Sequence, residues 1–498
     1  MSSAGSTKTS TGSATVKLPE NRGLYYGGAW HVPSHEPVEL FSPGSGRSLG
    51  TIAMADASDA EAAIAAARAA FSDWRDVHPL ERARLLREIA SVIRDHAEEF
   101  AMIDAEDCGN PARAMVADSH ASAAQFEFFA GLVTEMKGTS IPMGANVLNT
   151  SVREPMGVIA RIIAFNHPFM FCAGKSAAPL AAGNTVIIKP PEQAPLSALR
   201  FAELIEGILP PGALNILPGG AEAGQTLASH PDVAKVGVIG SVGTGRAVLS
   251  GAAGTIKPAL LELGGKNALI AFGDADPDTV ASALIDGMNF TWCGQSCGST
   301  SRAFLHESIH DAVLQRLVKK ASTFKPGDPT SHDTMMGALI SKAQHRKVLD
   351  YIEIGKNEGA NLLYGGKIPD DPSLSNGFFV EPTIFSGVTM DMRIAREEIF
   401  GPVLSVLKWS DATAMLKEVN GVEYGLTCSI WTDNLHHALN TANAVETGYV
   451  WINEVGKHFL GAPFGGYKQS GMGREECLQE LLEFTREKNI HIRLNRHA

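Results

Sequence analysis

The chain has 498 residues, 44% of them hydrophobic, and a formal net charge of −12. That length carries two or three domains around a large core, and the acidic balance excludes a nucleic-acid partner, which needs a basic face. No apolar run reaches membrane-spanning length.

Residues 1–16, "MSSAGSTKTSTGSATV", lack the apolar stretch of a secretory signal and read as a flexible N-terminal tail. The expected location is cytoplasmic. An Ala-rich helix is predicted over 57–75, opened by Ser58 and Asp59, and a second amphipathic stretch over 79–105. Short apolar runs bounded by Gly or Pro follow: "GVIARIIAF" at 157–165, "NTVIIKP" at 184–190, "GALNILPGG" at 212–220 and "VAKVGVIGS" at 233–241. Helical segments such as "PLSALRFAELIEGI" separate them, which predicts βαβ units and a mostly parallel sheet. The alternation resumes after residue 267 with "NALIAF", a helix near 277–291, "SRAFLH" and a helix from about 308. This second half reads as another α/β domain. "NIHIRLN" at 489–495 has no partner nearby in sequence and reads as an edge strand that pairs with another domain or subunit.

"HESIH" at 306–310 matches the H-E-x-x-H zinc pattern. "SRAFL" reads as a strand ending at His306, and Ser308 with Asp311 forms a capping-box pattern. The two histidines then share no helical face, and no third ligand is evident. A strand-to-helix corner is expected, with no metal.

"WCGQSCG" at 292–298 sets two cysteines four apart in a chain with six, the others being Cys108, Cys172, Cys428 and Cys477. A disulfide fits poorly with a cytosolic setting. A metal site lacks a second pair at zinc-ribbon spacing. A chemical role and plain packing both remain open, and a lone cysteine is more often buried and inert.

Seven segments bear on that choice. "LELGGKN" at 261–267, "GQSC" at 294–297, "EEIFGP" at 397–402 and "PFGGYKQSGMGRE" at 463–475 resemble the NAD(P)-dependent aldehyde dehydrogenases. "FNHP" at 165–168, "IIKPPEQAP" at 187–195 and "IGSVGTG" at 239–245 match as well, in the family's order and spacing. The resemblance makes Cys297 the nucleophile, leaving Cys293 to packing. It makes Glu262 the general base, a carboxylate between two leucines whose proton affinity apolar neighbours raise. Asn166 would supply an oxyanion donor together with the Cys297 backbone N–H. Lys175 and Glu475 match positions implicated in proton relay.

For the cofactor, NAD, the resemblance assigns Lys189 and Glu192 to the adenosine ribose. Gly240, Ser241 and Gly245 form a strand-to-helix turn facing pyrophosphate. Glu398 and Phe400 would position the nicotinamide ribose and ring, with Phe165 and Leu263 beside them. Two residues depart from the common pattern: Phe165 stands where many members carry tryptophan, and Ile239 where many carry phenylalanine. Phe171, Trp292, Lys457, His458 and Phe459 fall in segments that line the substrate tunnel. Aromatic walls and a lysine predict an aromatic or carboxylate-bearing aldehyde rather than betaine aldehyde.

The implied fold is α/β and aldehyde dehydrogenase-like: two Rossmann-like domains plus a small β oligomerisation flap. Residues 17–132 and 154–265 form the NAD-binding domain, 266–478 the catalytic domain, and 133–153 with 479–498 the flap. A homodimer or homotetramer follows. Alternatives are a non-catalytic nucleotide-binding relative with a structural role and an NADP-preferring semialdehyde dehydrogenase. An acylating enzyme that uses coenzyme A would not need Glu262.

Overall fold

The computed structural model describes residues 16–33 and 35–494, so the N-terminal tail expected over 1–16 lies almost wholly outside the described residues. The first long helix, Ala57–Asp76, starts one residue before the expected pair: Asp56 and Asp59, not Ser58 and Asp59, form its capping box. The stretch expected as one helix over 79–105 is two, Pro79–Asp95 and Ala97–Asp107. His96 leaves helical geometry between them, at φ −114 and ψ 17.

Eight strands form the first sheet, in the order Ala29–His31, Leu24–Tyr26, Leu214–Ile216, Thr185–Lys189, Val158–Ile162, Val233–Gly240, Ala259–Leu263 and Gly471–Met472. The five strands from Leu214–Ile216 to Ala259–Leu263 are parallel. They are buried on both faces and mostly apolar, as a sheet covered by helices requires. The chain winds outward from Val158 to Leu214, then returns to Val233 on the other side. The order therefore reverses between Val158–Ile162 and Val233–Gly240, and such a switch point opens a crevice beyond the carboxyl ends of its strands.

The second sheet has seven strands, in the order Asn361–Tyr364, Thr383–Ser386, Val403–Trp409, Arg302–His306, Ala268–Ala271, Thr427–Trp431 and Tyr449–Ile452. All of its pairings are parallel except the first. The strand Arg302–His306 runs straight into the helix Glu307–Ala321. His306 itself caps that helix by accepting from the Ser308 N–H, so the expected Ser308–Asp311 box does not form. His310 pairs with Asp311 at 2.6 Å. The corner reading of "HESIH" stands.

The C-terminal strand Thr485–Arg493 is longer than expected and finds its partner within the chain. It pairs antiparallel with Val147–Pro155, which also pairs with Ser140–Pro142. No helix among the described residues is long and apolar enough to cross a membrane.

Candidate active site

The loop after helix Pro277–Gly287 carries the two cysteines. Asn289, Cys293 and Gly294 all adopt left-handed backbone, at φ 54, 55 and 65. A side chain at Gly294 would collide with the Gly401 carbonyl, so this turn needs glycine. Cys293 is fully buried and its thiol donates to the Gly337 carbonyl at 2.9 Å. It anchors the loop. Asn267 Nδ2 donates to the Cys297 carbonyl at 2.6 Å and to Ser299 O at 3.0 Å. Cys297 is thereby held at a cavity wall.

Two cavities meet there. A larger one, about 500 Å³, is lined by Asp118, His167, Phe171, Trp292, His458 and Phe464 among others. A smaller one, about 180 Å³, is lined by Phe165, Asn166, Gly240, Ser241, Glu398 and Phe400 among others. Only Ile239, Glu262 and Cys297 line both.

Glu262 lies in the strand Ala259–Leu263 and is buried. Burial pushes its carboxyl up to about 8, with a further push from Glu475, while the Cys297 thiol and Lys175 pull the other way. Burial likewise raises the Cys297 thiol well above its ordinary value, and the neighbouring Glu262 and Glu398 add to it. The charges that act on the thiol are carboxylates, and the Gly298 backbone hydrogen bond favours the anion. The carboxylate of Glu262 is hydrogen-bonded to the thiol and can take its proton.

Behind Glu262 lies a buried ionic network. Lys175 Nζ is 2.9 Å from Glu475 Oε2, and Arg161 donates to Glu475 Oε1 at 2.5 Å. Burial pushes the Glu475 carboxyl up, but Lys175 and Arg161 outweigh it and hold the group down to about 2. Glu476 lies 3.9 Å from Lys175 and pairs with His458 at 3.1 Å. Glu480 accepts from the Glu476 N–H at 2.6 Å, and burial followed by Glu475 pushes it up to about 7.

On the cofactor side, Asn166 is buried between the crevice and Asn110, whose side chain donates to the Asn166 carbonyl at 2.8 Å. Ser241 caps the helix Val242–Ala253, accepting from Thr244 N at 3.2 Å. A Cβ at Gly245 would lie 2.6 Å from Leu263 Cδ1, so glycine lets this helix settle onto the sheet. Glu398 accepts from Gly265 N at 3.0 Å and fills the space a side chain at Gly264 would occupy. Phe400, at φ 57, meets Phe165 edge to face at 5.7 Å. Lys189 and Glu192 line neither cavity; they close around the Gly219–Gly220 turn. Lys189 donates to the Gly219 and Pro190 carbonyls, and burial lowers it to about 8. A capped helix N-terminus, a glycine-shaped crevice and a carboxylate at its wall suit a nucleotide that ends in a ring beside Cys297.

The substrate segments divide. Phe171, Trp292 and His458 line the larger cavity. Lys457 and Phe459 do not: Phe459 is 61% exposed, and the Lys457 ammonium acts on Asp286, whose half-buried carboxyl it pulls down against burial. Three titratable lining residues escaped the sequence reading, Asp118, His167 and Glu476. His167 stood inside the quoted "FNHP", and Glu476 directly follows "GRE"; Asp118 carries no local signal.

The model of the Aldehyde dehydrogenase family matches residues 30–490. The chain is 50% identical over 485 residues to aldehyde dehydrogenase tropH of Talaromyces stipitatus, covering 96% of this chain and 94% of that one. It is 41% identical over 458 residues to a betaine aldehyde dehydrogenase of Mesorhizobium japonicum, covering 92% and 94%. The NAD+ complex of an aldehyde dehydrogenase from Bacillus cereus superposes with a TM-score of 0.92 at 37% identity, over 96% and 97% of the two chains. With sequence, fold and family model agreeing over nearly its whole length, the chain belongs to the aldehyde dehydrogenase family of aldehyde-oxidising oxidoreductases.

Proposed function

We propose that the chain oxidises an aldehyde to the carboxylic acid with NAD, through Cys297 and Glu262. The observation that carries this reading is the meeting of two separate cavities at one thiol–carboxylate pair. The Cys297 thiol gives its proton to Glu262 as sulfur attacks the carbonyl carbon, forming a thiohemiacetal. Asn166 and the Cys297 backbone N–H receive the charge that develops on oxygen. Phe165, Glu398 and Phe400 in the wall of the smaller cavity would hold a nicotinamide, which would accept the hydride from the thiohemiacetal carbon and so leave a thioester on Cys297. Glu262, its proton passed to solvent through the larger cavity that Lys175 and Glu475 also line, then takes one from water, and the hydroxide releases the acid. NADH absorbance with a panel of aldehydes tests the reading, and Cys297→Ala must abolish the signal.

NAD is the proposed partner in preference to NADP. Lys189 is engaged by two carbonyls and burial lowers it to about 8, which weakens its offset of the Glu192 carboxylate where a 2′-phosphate would arrive. The proposed substrate is a neutral aromatic aldehyde. The carboxylate-bearing alternative rested on Lys457, which lies outside the cavity, and Lys175 is already paired with two glutamates. A second reading, betaine aldehyde, draws support from the ring-lined wall, from Asp118 and Glu476 in it, and from the Mesorhizobium relative. The panel decides by the ratio of kcat/KM for benzaldehyde and betaine aldehyde.

The proposed domains are those of the sequence reading, with the flap strands ending at Pro155 and starting at Thr485. One flap face presents Leu148, Val152, Ile490 and Ile492, all exposed. A homo-oligomer that covers this face is proposed. Light scattering should give a multiple of 52.8 kDa for the wild type and a smaller particle for Val152→Glu.

A further inference from the structure

The larger cavity contains a side-chain pair that the chemistry at Cys297 does not use. His167 precedes the helix Pro168–Ala181, next to Asn166, and Asp118 projects from the helix Ala112–Gly131. His167 Nδ1 lies 2.6 Å from Asp118 Oδ2, and both residues line the cavity. A carboxylate can only accept, so the hydrogen sits on Nδ1. In the neutral ring Nε2 then carries a lone pair, an acceptor offered to whatever enters. The His167 ring stands 5.4 Å from Phe171 and 5.5 Å from Trp292, so the acceptor is set among flat apolar faces.

An acceptor framed by rings matches a flat ligand that carries a hydrogen-bond donor. A quaternary ammonium or an alkyl chain has no donor to give. An aromatic ring with a hydroxyl has both features. Resting on the aldehyde-oxidation reading above, we infer that the His167–Asp118 pair selects ring-hydroxylated aromatic aldehydes, the hydroxyl donating to His167 Nε2. Asp118 acts through His167 by fixing its tautomer. A site built to receive a hydroxyl discriminates against an analogue that lacks one, because a bound ring shields the acceptor from water and leaves it unpaired.

The test compares 2-, 3- and 4-hydroxybenzaldehyde with the matching methylbenzaldehydes, using the full chain and NAD. Methyl keeps the size and removes the donor. At least one hydroxyl isomer should exceed its methyl counterpart by about tenfold in kcat/KM, mostly through KM. In His167→Phe that ratio should fall to about one, and in Asp118→Asn it should shrink, because an amide can donate to Nδ1 and move the hydrogen to Nε2. Should both variants fail to fold, wild-type oxidation of propanal gives the same answer: phenol should inhibit it competitively and toluene at equal concentration should not. Ratios near one in the wild type, or a high ratio that survives His167→Phe, overturn the inference. Equal inhibition by phenol and toluene overturns it too. If propanal yields NADH and the ratios are one, only this inference falls; if no aldehyde yields NADH, the aldehyde-oxidation reading falls and takes it along.

Discussion

The smaller cavity is walled on one side by the ends of one sheet, with Phe165 and Asn166 after Val158–Ile162, Gly240 and Ser241 at the end of Val233–Gly240, and Gly264 after Ala259–Leu263, and on the other by Gln344, Lys347, Glu398 and Phe400. The larger is walled by side chains from helices and loops far apart in the chain, among them Asp118, Phe171, Trp292 and His458. One has a sheet's strand ends and two glycines along one side, the other is shaped by side-chain packing throughout. Backbone at a sheet's switch point offers N–H groups and room in one arrangement, which suits a ligand that never changes. A wall of side chains can be rebuilt one residue at a time, which suits a ligand that does.

Removing what the two cavities share should cost most. Cys297→Ala should lower NADH formation by at least about 10³-fold while leaving NAD affinity near wild type by titration calorimetry. If NAD affinity collapses as well, the two cavities are not separable. Glu262→Gln should act on both halves of the cycle, on deacylation most, lowering steady turnover by about 10² to 10⁴. A stopped-flow trace should still reach a burst close to one NADH per site, but more slowly than in the wild type, because Cys297 has lost its proton acceptor. Wild-type burst and steady rate together would remove Glu262 from the base role.

The same carboxyl should give a pH signature with two signs. As a base it works ionised, so hydrolysis-limited turnover should rise with pH and level off above about 8. For stability the sign reverses. Its ordinary value is 4.5 and its folded value about 8, so folding favours the protonated form. That contribution is complete below pH 4.5 and is lost as the pH climbs through 8. Glu262→Gln, always neutral, should therefore gain in Tm on the wild type between pH 5 and pH 9. A gap that stays constant or narrows would mean the carboxyl is not buried as described.

The contrast between the cavities also explains how far the sequence could be read. Gly240, Ser241, Gly245, Glu262 and Cys297 sit in short contiguous motifs, because a turn at a strand end is a local event. The alternation of apolar runs was enough for two parallel sheets. The flap needed a pairing across more than 300 residues, Ile490 with Thr150, that no local pattern encodes. Asp118 is legible only once the helix Ala112–Gly131 is packed against His167. The break at His96 went unseen because the apolar periodicity on both sides continues through it.

A smaller effect should separate the cofactors. Glu192 is exposed, so its charge is screened by water. Glu192→Gln should relax the preference for NAD over NADP by only about two- to fivefold in kcat/KM. A change of a hundredfold would place the carboxylate in direct contact with the ribose, and no change would leave Lys189 and the Gly219–Gly220 turn to make the distinction.

The smallest expected effect is at Lys457, where the two kinds of wall give opposite forecasts. A lysine in a substrate loop, read as a cavity residue, should attract carboxylate-bearing aldehydes. In the folded chain its ammonium acts on Asp286, and its backbone carbonyl accepts from Trp451 Nε1 at 2.8 Å. Trp451 itself lines the larger cavity, so the contribution of residue 457 to that wall passes through a backbone atom. Alanine keeps the carbonyl and removes only the ammonium. Lys457→Ala should therefore leave kcat/KM within about twofold for both benzaldehyde and 4-carboxybenzaldehyde, as expected for an exposed charge. A selective loss of the carboxylated substrate, about tenfold or more, would bring the ammonium back into the cavity. Lys457→Pro gives the sharper contrast. It keeps the carbonyl, but its ring fixes φ near −65° and restricts the preceding Gly456, which has φ 73. It should disturb every aldehyde alike, because it moves the loop and the wall behind it.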